Sequence, residues 1–583
     1  MIKRIIRKPE IWINGISMII ISIICLKDIK VLDYPVILND EFGYWANAIS
    51  LGNYDWKDLI AYTPYYSWGY SLFLIFIVFF VKSPFLAYKI AILLNVVFLI
   101  GSYFLCISIC KILFANRNTY LVRICSLIAV IYPANIVYSQ VTWTESLLVF
   151  LTCLVFFELV KLDHLYSTKR LISVIAIVTF MYAVHQRMIG VVLITLICET
   201  FILLKNKKNI FWILIPLGCV ACGYYFHENI KDLQLTSLWE NSQTSSINNV
   251  ALTSDIVTNY INVFFEKFND LIISLFAKMI YVIIGTSMMI LPFIGYYLNE
   301  LVHNFKNKNF YHDFFISKTW VLSCFIVMWF LCSLQMINWQ DRQDILVYGR
   351  YMDTTITPLL LLALMNLSNI LLRKSSYLLF ITEWIMVVIG LKWILPRLTT
   401  VNSVFNTVCS PIIGGFYEIN RNWAESFWII FIITSVFTFL MVSYFLIKKK
   451  KFIYFLYLLI AIFYGWLSYE GEQYVLKWRN SLERQSWPVA DQIATEKDNK
   501  EILYVKDTLN DPYSVNPKYI QFRFWDRSIH VITEKDLDNL INSKEDFIFL
   551  INPKDKTVKE RLEKKLYKNY AETEILSVMK KEE

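Results

Sequence analysis

Residues 36–56 read VILNDEFGYWANAISLGNYDW and follow an apolar run, IWINGISMIIISIICL, at 11–26. An adjacent pair of carboxylates, Asp40 and Glu41, therefore stands among aromatic residues just beyond a segment of near-membrane length. The rest of the chain decides the setting of that pair. Of 583 residues, 57% are hydrophobic and 16% aromatic, only 18% are charged, and the mean hydropathy is +0.48. Apolar stretches near the roughly 20 residues that cross a bilayer recur along most of the length. They predict an all-α polytopic membrane protein and exclude a sheet barrel. No small-residue cleavage site follows the first run, so it is read as a retained helix and not as a secretory leader.

Lysine and arginine set the orientation, because short loops rich in them stay on the cytoplasmic side. Lys3, Arg4, Arg7 and Lys8 place the amino terminus inside, which puts residues 27–84 outside as a first outer loop. The apolar piece SLFLIFIVFF at 71–80 is too short to cross and is expected to lie along or dip into the outer leaflet. Lys111, Arg117 and Arg123, then Lys161, Lys169 and Arg170, KNKKN at 205–209, Lys306 and Lys308, RKSS at 373–376 and KKKK at 448–451 all fall on the inner face. The expectation is about 13 transmembrane helices, with the carboxyl terminus outside. The formal charge of +9 is accounted for by these lysines near anionic lipid, and a nucleic-acid partner has no support.

After Tyr469 charge returns and the apolar runs shorten. Residues 1–469 are therefore taken as the transmembrane domain and 470–583 as a small extracytoplasmic α/β domain. Within it EILYVKD (501–507), KYIQFRFWDRSIHVIT (518–533) and DFIFLIN (546–552) are predicted strands, and EKDLDNLINS (534–543) and KTVKERLEKKLY (556–567) predicted helices. Ten of the eleven cysteines sit in apolar runs and only Cys409 in a predicted outer loop. Cys219 and Cys222 form a C-x-x-C inside LGCVACGYY, where packing is the expected role and a redox pair is not.

Ionisable groups at membrane depth are costly and mark sites. Four sets lie at outer ends of predicted spans: Asp40 with Glu41; Glu145 after YPANIVYSQVTW; His185 and Arg187 in AVHQRMIG; and the stretch NWQDRQDILVYGRYMD at 338–353. One topology turns all four outward, so one cavity can collect them. A carboxylate among Trp and Tyr can have its basicity raised by desolvation and take a proton from a hydroxyl. Aromatic rings such as Tyr44, Trp45 and Tyr348 suit a sugar, and an arginine gives phosphate oxygens a planar fork as negative charge develops. Plainer readings stand beside these: Asp40 and Glu41 as the start of a helix near Phe42, Glu145 as a helix-start acid, Arg187 reaching to headgroups, and Asp341, Arg342 and Asp344 as a solvated loop.

The stretches NDEFGYW (39–45) and YTPYYSWGYSLFLI (62–75), the YP, YS and TE pairs between Tyr132 and Glu145, and YGRYMDTTITP (348–358) together resemble the GT-C glycosyltransferases, family 39-like. The resemblance covers about the first 370 residues and rests on short motifs. It implies a GT-C-like fold, a polyprenyl-phosphate-linked sugar donor, an extracytoplasmic site and an acceptor that is an envelope glycan, lipid or protein. Asp40 matches the catalytic acid position and is expected to act as general base. Glu41 would orient the acceptor or, in metal-using branches, ligate a divalent cation, Mg or Mn. Arg350 and Tyr351, with Arg187 and His185, are expected at the donor phosphate, and Glu145, Tyr44, Trp45 and Tyr348 at the acceptor or cavity wall. The expected function is an integral plasma-membrane glycosyltransferase working by inverting single displacement. Two alternatives remain: a polysaccharide polymerase or ligase, whose key residues would lie in the middle outer loops, and a transporter of lipid-linked saccharide, for which the sequence shows neither internal repeats nor broken helices.

Overall fold

The computed structural model describes the chain apart from residues 1–8, 33–34, 36–37, 53, 240–261, 263, 307–313, 338–342, 400–406, 448–449, 496–499, 510, 512–513, 543–545 and 582–583. Among the described residues, eight helices are long and apolar enough to cross a membrane, from Pro84–Leu113 to the window Lys451–Ser481. A ninth span results if Thr119–Val130 and Pro133–Ser139, bent by 58° at their break, count as one. The protein is an integral membrane protein, but length and composition stop short of the thirteen spans expected. The helices Pro9–Leu26 and Thr168–Val184 are short, and others such as Leu214–Ser237 carry polar residues through their second half.

Helix Trp423–Ile447 shows how the sequence meets lipid. Trp428, Ile432, Val436 and Phe439 recur at helical spacing and are exposed, whereas Ile430, Phe437, Met441 and Tyr444 on the other side are buried. An apolar residue on both faces is what a helix at the edge of a bundle in hydrocarbon requires. Ser71–Phe80 is a separate ten-residue helix with Phe76, Phe79 and Phe80 exposed, as expected of a piece too short to cross.

Two breaks interrupt the bundle, contrary to the sequence reading. Pro133 stands first in its helix, where it cannot continue the hydrogen-bond ladder of the helix before it. Between Phe268–Gly285 and Ile290–Lys306, Ser287 and Met288 take positive φ angles of 53° and 64°. These two helices follow one another along Lys374–Ile394: Gly390 lies against Ile280, Glu383 Oε1 accepts from the Leu291 N–H at 2.8 Å, and Leu379 lies against Gly295.

The last membrane helix, Lys450–Ala494, runs 45 residues, about 68 Å, straight through the boundary expected at 469 and 470. The sheet begins only at β1 (Ile502–Val505). Strands β2 (Ile529–Ile532), β3 (Ile548–Ile551), β4 (Tyr567–Glu572) and β5 (Ser577–Lys581) complete it in the order β2-β1-β3-β5-β4. β1 pairs in parallel with β2 and β3, with Ile502 opposite Ile529 and Ile548, while β5 pairs antiparallel with β3 and β4. Helices Glu534–Ile541 and Lys556–Glu563 occur where expected. Residues 518–533 do not form a single strand: Val515–Arg523 is a helix, and β2 follows it. Tyr519, Ile520, Phe522 and Trp525 are all buried, because this piece is covered by the sheet and by the first loop, which erases the one-sided pattern of a surface helix. Strands β4 and β5 were not expected; in the edge strand β4 most side chains are exposed and polar, as edges that avoid aggregation require.

Three smaller expectations also change. Cys409 is buried in a short 3-10 turn, Thr407–Cys409, and is not a loop thiol. Cys222 is exposed and Cys219 half-buried, so they do not pack inside the bundle, while the apolar surroundings still match a lipid-facing surface. Asp344 is fully buried in the turn Gln343–Val347 and is not solvated; Asp341 and Arg342 lie outside the described residues.

Candidate active site

The acidic pair sits in the first turn of the helix Leu38–Ser50, where the helix dipole favours negative charge. Consecutive residues on an α-helix point about 100° apart, so the two carboxylates serve different surroundings. Glu41 turns into the protein and is fully buried. Its Oε2 accepts from the Thr142 N–H at 2.7 Å, the Thr142 hydroxyl at 2.6 Å and the Tyr88 hydroxyl at 2.7 Å. Trp45 Nε1 donates to the same Thr142 hydroxyl at 3.0 Å. Glu41 thus ties the first loop to two other parts of the bundle. Its Oε2 is thereby committed to three hydrogen bonds. Among the described residues no three His, Cys, Asp or Glu are grouped to hold a metal ion.

Asp40 keeps 24% of its side chain exposed. Tyr66 donates its hydroxyl to Asp40 Oδ1 at 2.5 Å, and Arg350 Nη1 donates to Oδ2. Gly43 makes room for this: a Cβ there would fall 2.0 Å from the Tyr66 ring. Arg350 is the first residue of helix Arg350–Leu371, a place where the dipole disfavours a cation. Carboxylates offset that cost. Arg350 Nε donates to Glu145 Oε1 at 2.6 Å, and its guanidinium lies 3.5 Å above the Trp143 ring. Glu145 is itself the first residue of Glu145–His164 and also accepts from Arg187 Nη2 at 2.8 Å. Arg187 in turn lies 4.3 Å from the Tyr351 ring centre, with His185 5.8 Å from that ring and Tyr348 5.0 Å from it.

The four sets singled out in the sequence therefore converge. Asp40, Glu145, Arg187 and Arg350 form one chain of ion pairs, with His185 and Tyr351 beside it. Tyr44, Trp45, Glu145 and Tyr348, expected to line the cavity, are buried; the aromatic three pack, as where Tyr44 meets the Tyr66 ring at 5.1 Å, and Glu145 pairs with the arginines. The partly accessible groups are Asp40, Tyr66, His185 and Tyr351. Nε and Nη1 of Arg187, a side chain only 3% exposed, have no hydrogen-bond partner. A buried guanidinium with two unsatisfied donors is an anion site by its chemistry.

Three supporting residues escaped the sequence reading. Tyr66 was quoted only as part of an aromatic stretch. Asp353, one turn past Arg350, accepts from the hydroxyls of Tyr132 at 3.0 Å, Tyr138 at 2.7 Å and Tyr281 at 2.8 Å, and so fixes the start of the helix that carries Arg350. Gly349 allows Tyr281 to approach, since a Cβ there would lie 2.1 Å from its ring. Its signal was an acid at i+3 from Arg350, three residues along the same helix face. Lys518 comes from the sheet domain, donates to Asn39 Oδ1 at 3.1 Å and is fully buried, and desolvation pushes its amine down to about 7.

The sheet domain packs on the loop that carries Asp40. Trp56 Nε1 donates to the Trp525 carbonyl at 3.1 Å, Phe522 meets Trp45 edge to face, and Asp58 Oδ2 pairs with His530 Nδ1 at 3.0 Å. That hydrogen bond holds Asp58 below its ordinary value and His530 above. Between loop and sheet, Lys57, Asp58, Tyr62, Ser237, Leu238 and Val531 line a cleft of about 210 Å³.

Two solved structures share this architecture. ArnT from Cupriavidus metallidurans bound to undecaprenyl phosphate superposes with a TM-score of 0.54 at 14% identity, covering 98% of this chain and 97% of that one. ArnT from the same organism in the apo state gives 0.55 at 12% identity, covering 97% of both. The chain has the ArnT fold. That is the GT-C architecture the motifs resembled, and it extends over the sheet domain, which the motifs did not reach. No protein-family model matches the chain, and no curated protein matches it.

Proposed function

We propose that the protein is an extracytoplasmic-facing membrane glycosyltransferase that moves one sugar from a polyprenyl monophosphate to an envelope glycan, lipid or protein. The observation that carries this reading is the pairing, in one cluster, of a partly exposed carboxylate, Asp40, with a buried arginine, Arg187, that has two donors unsatisfied. A base and an anion site side by side are what displacement at an anomeric carbon demands. Undecaprenyl phosphate, the ligand named for one ArnT structure, represents the donor's leaving group.

In this mechanism the acceptor oxygen attacks the anomeric carbon from the face opposite the phosphate. The acceptor proton passes to Asp40, the bond from carbon to phosphate oxygen breaks, and its electron pair leaves with the polyprenyl phosphate. One displacement inverts the anomeric centre. Arg187 and Arg350 stabilise the charge that grows on the phosphate, His185 and Tyr351 border it, and Glu145 holds both guanidinium groups in place. Glu41 orients the helix that carries Asp40. The loop-to-sheet cleft, with its aromatic, hydroxyl and charged lining, suits a part of the acceptor remote from the reacting oxygen.

The broken helices remove one ground for setting aside a transporter; the clustering of charge at helix starts still favours a transferase. The deciding experiment compares envelope glycans by mass spectrometry in the native host carrying wild type, a deletion or Asp40→Asn at matched membrane abundance. Loss of the same single sugar in the deletion and in Asp40→Asn supports the reading. A deletion phenotype that Asp40→Asn does not reproduce defeats it.

A further inference from the structure

Asp40 is bonded through both oxygens, by Tyr66 at Oδ1 and Arg350 at Oδ2. A carboxylate held this way keeps lone pairs to accept with, but the guanidinium charge lowers its basicity, so giving up that contact makes it a stronger base. The two partners differ in what could take them away. Tyr66 has a neutral hydroxyl. Arg350 is a cation whose Nε and Nη2 face Glu145 while Nη1 faces Asp40, so every nitrogen is committed to a carboxylate. Arg187 is joined to Arg350 through Glu145, yet has Nε and Nη1 unsatisfied. An anion entering the cluster can take the unsatisfied donors of Arg187 and compete for the fork of Arg350.

We propose that Arg350 masks Asp40 in the empty site, and that the phosphate of the lipid donor unmasks it by taking over Arg350. This rests on the donor reading above and adds an order to it: donor binding precedes activation of the acceptor. The exchange is one of ion-pair partners. Arg350 leaves the Asp40 carboxylate for a phosphate oxygen, Glu145 keeps its hold on Arg350 and Arg187, and Asp40, relieved of the neighbouring cation, becomes the stronger base that accepts the hydroxyl proton. An empty enzyme then holds only a weakened base, so water reaching the site first is deprotonated less readily.

If phosphate and Asp40 compete for one guanidinium, removing the Asp40 charge tightens lipid binding, and the gain depends on Arg350. Simple repulsion between two anions would also tighten binding, but without that dependence. The experiment is a double-mutant cycle on purified full-length protein in lipid nanodiscs. Undecaprenyl phosphate binding is titrated by native mass spectrometry for wild type, Asp40→Asn, Arg350→Gln and the double variant. Asp40→Asn is expected to bind about fivefold or more tightly than wild type, and the gain to vanish in the Arg350→Gln background. A gain that persists there, or no gain at all, overturns the masking proposal while leaving the donor reading intact. Wild type that does not bind undecaprenyl phosphate overturns the donor reading and the proposal with it. Should Arg350→Gln not yield folded protein, Arg350→Lys replaces it, since an ammonium cannot fork between two partners, and the gain is expected to shrink. Tyr66→Phe, which removes the other contact, is expected to leave lipid affinity within about twofold.

Discussion

The two ends of this molecule hold charge in opposite ways. At the helix starts, Glu145, Arg187 and Arg350 have side chains 0%, 3% and 4% exposed and are joined across 42 and 205 residues of sequence. In the sheet domain, pairs such as Arg561 with Asp538 and Lys581 with Asp546 are partly to well exposed, 26% and 65% in the first and 35% and 46% in the second. Buried pairs cost several kcal/mol to desolvate and fail badly when one partner is removed, whereas exposed ones contribute about 0–1 kcal/mol each. The first arrangement is expensive and fixed in geometry; the second is cheap and replaceable. Chains keep the first kind where chemistry needs it.

Substitutions that test this contrast should separate by orders of magnitude. Asp40→Asn is expected to lower transfer by about 10²–10⁴-fold with little loss of folded protein, because Asn keeps the shape and a hydrogen-bond acceptor for Tyr66. Transfer assayed in membranes at matched abundance checks it, and near-normal activity would remove Asp40 as the base. Glu145→Gln should act on the fold, since two buried guanidinium groups lose their shared counter-charge, at a cost of about 3–5 kcal/mol. The readout is thermal unfolding in detergent; a variant that melts with wild type would show that water or lipid already satisfies those arginines. Glu41→Gln should also lower stability, and by less, because a carboxamide oxygen can still accept from Thr142 and Tyr88.

Lys518 is the exception on the sheet side, a buried amine at the contact between the domain and the Asp40 loop. Burial lowers it from 10.5 to about 7, so over that interval the unfolded chain binds more protons than the folded one. Stability from this group therefore rises with pH between about 7 and 10.5, and the cost is greatest below pH 7. Lys518→Met should melt above wild type at pH 6, with the two curves closing as pH rises toward 9. Parallel curves would mean that the amine stays charged in the folded protein.

Legibility in the sequence follows the same division. Hydropathy, and acids or bases next to apolar runs, marked Asp40, Glu145, Arg187 and Arg350, because a charged residue at a span end stands out against 57% hydrophobic composition. Their pairings did not show: Asp40 and Arg350 lie 310 residues apart, and nothing local tells which arginine faces which acid. The same holds for the division between Asp40 and Glu41, set by one step of helix rotation, and for Asp353, whose three tyrosine donors come from two separate stretches. In the sheet domain the central strands ILYV and IFLI were visible as short apolar runs, buried at every position. Val515–Arg523 was misread because it is buried on two sides, and the breaks at Tyr132 and Ser287 because hydropathy reports length and polarity but not φ.

The smallest effect concerns Asp58 and His530, the pair that joins the first loop to β2 with side chains 42% and 38% exposed. Their shared hydrogen bond lowers Asp58 and raises His530. Asp58 contributes above its unfolded value, and that contribution fades as pH falls through its folded one. His530 contributes below 6.5, and its contribution fades as pH rises through its own raised value. The pair is thus complete in mildly acidic solution and weak in alkali. Solvent screening holds it to about 0.5 kcal/mol or less. His530→Gln should therefore speed hydrogen exchange of the Val531 amide, which donates to Asp58 Oδ2 at 3.2 Å, by no more than about twofold at pH 6, and leave it unchanged at pH 8.5 once intrinsic rates are divided out. Equal acceleration at both pH values would show that packing, and not charge, holds that corner of the sheet to the loop.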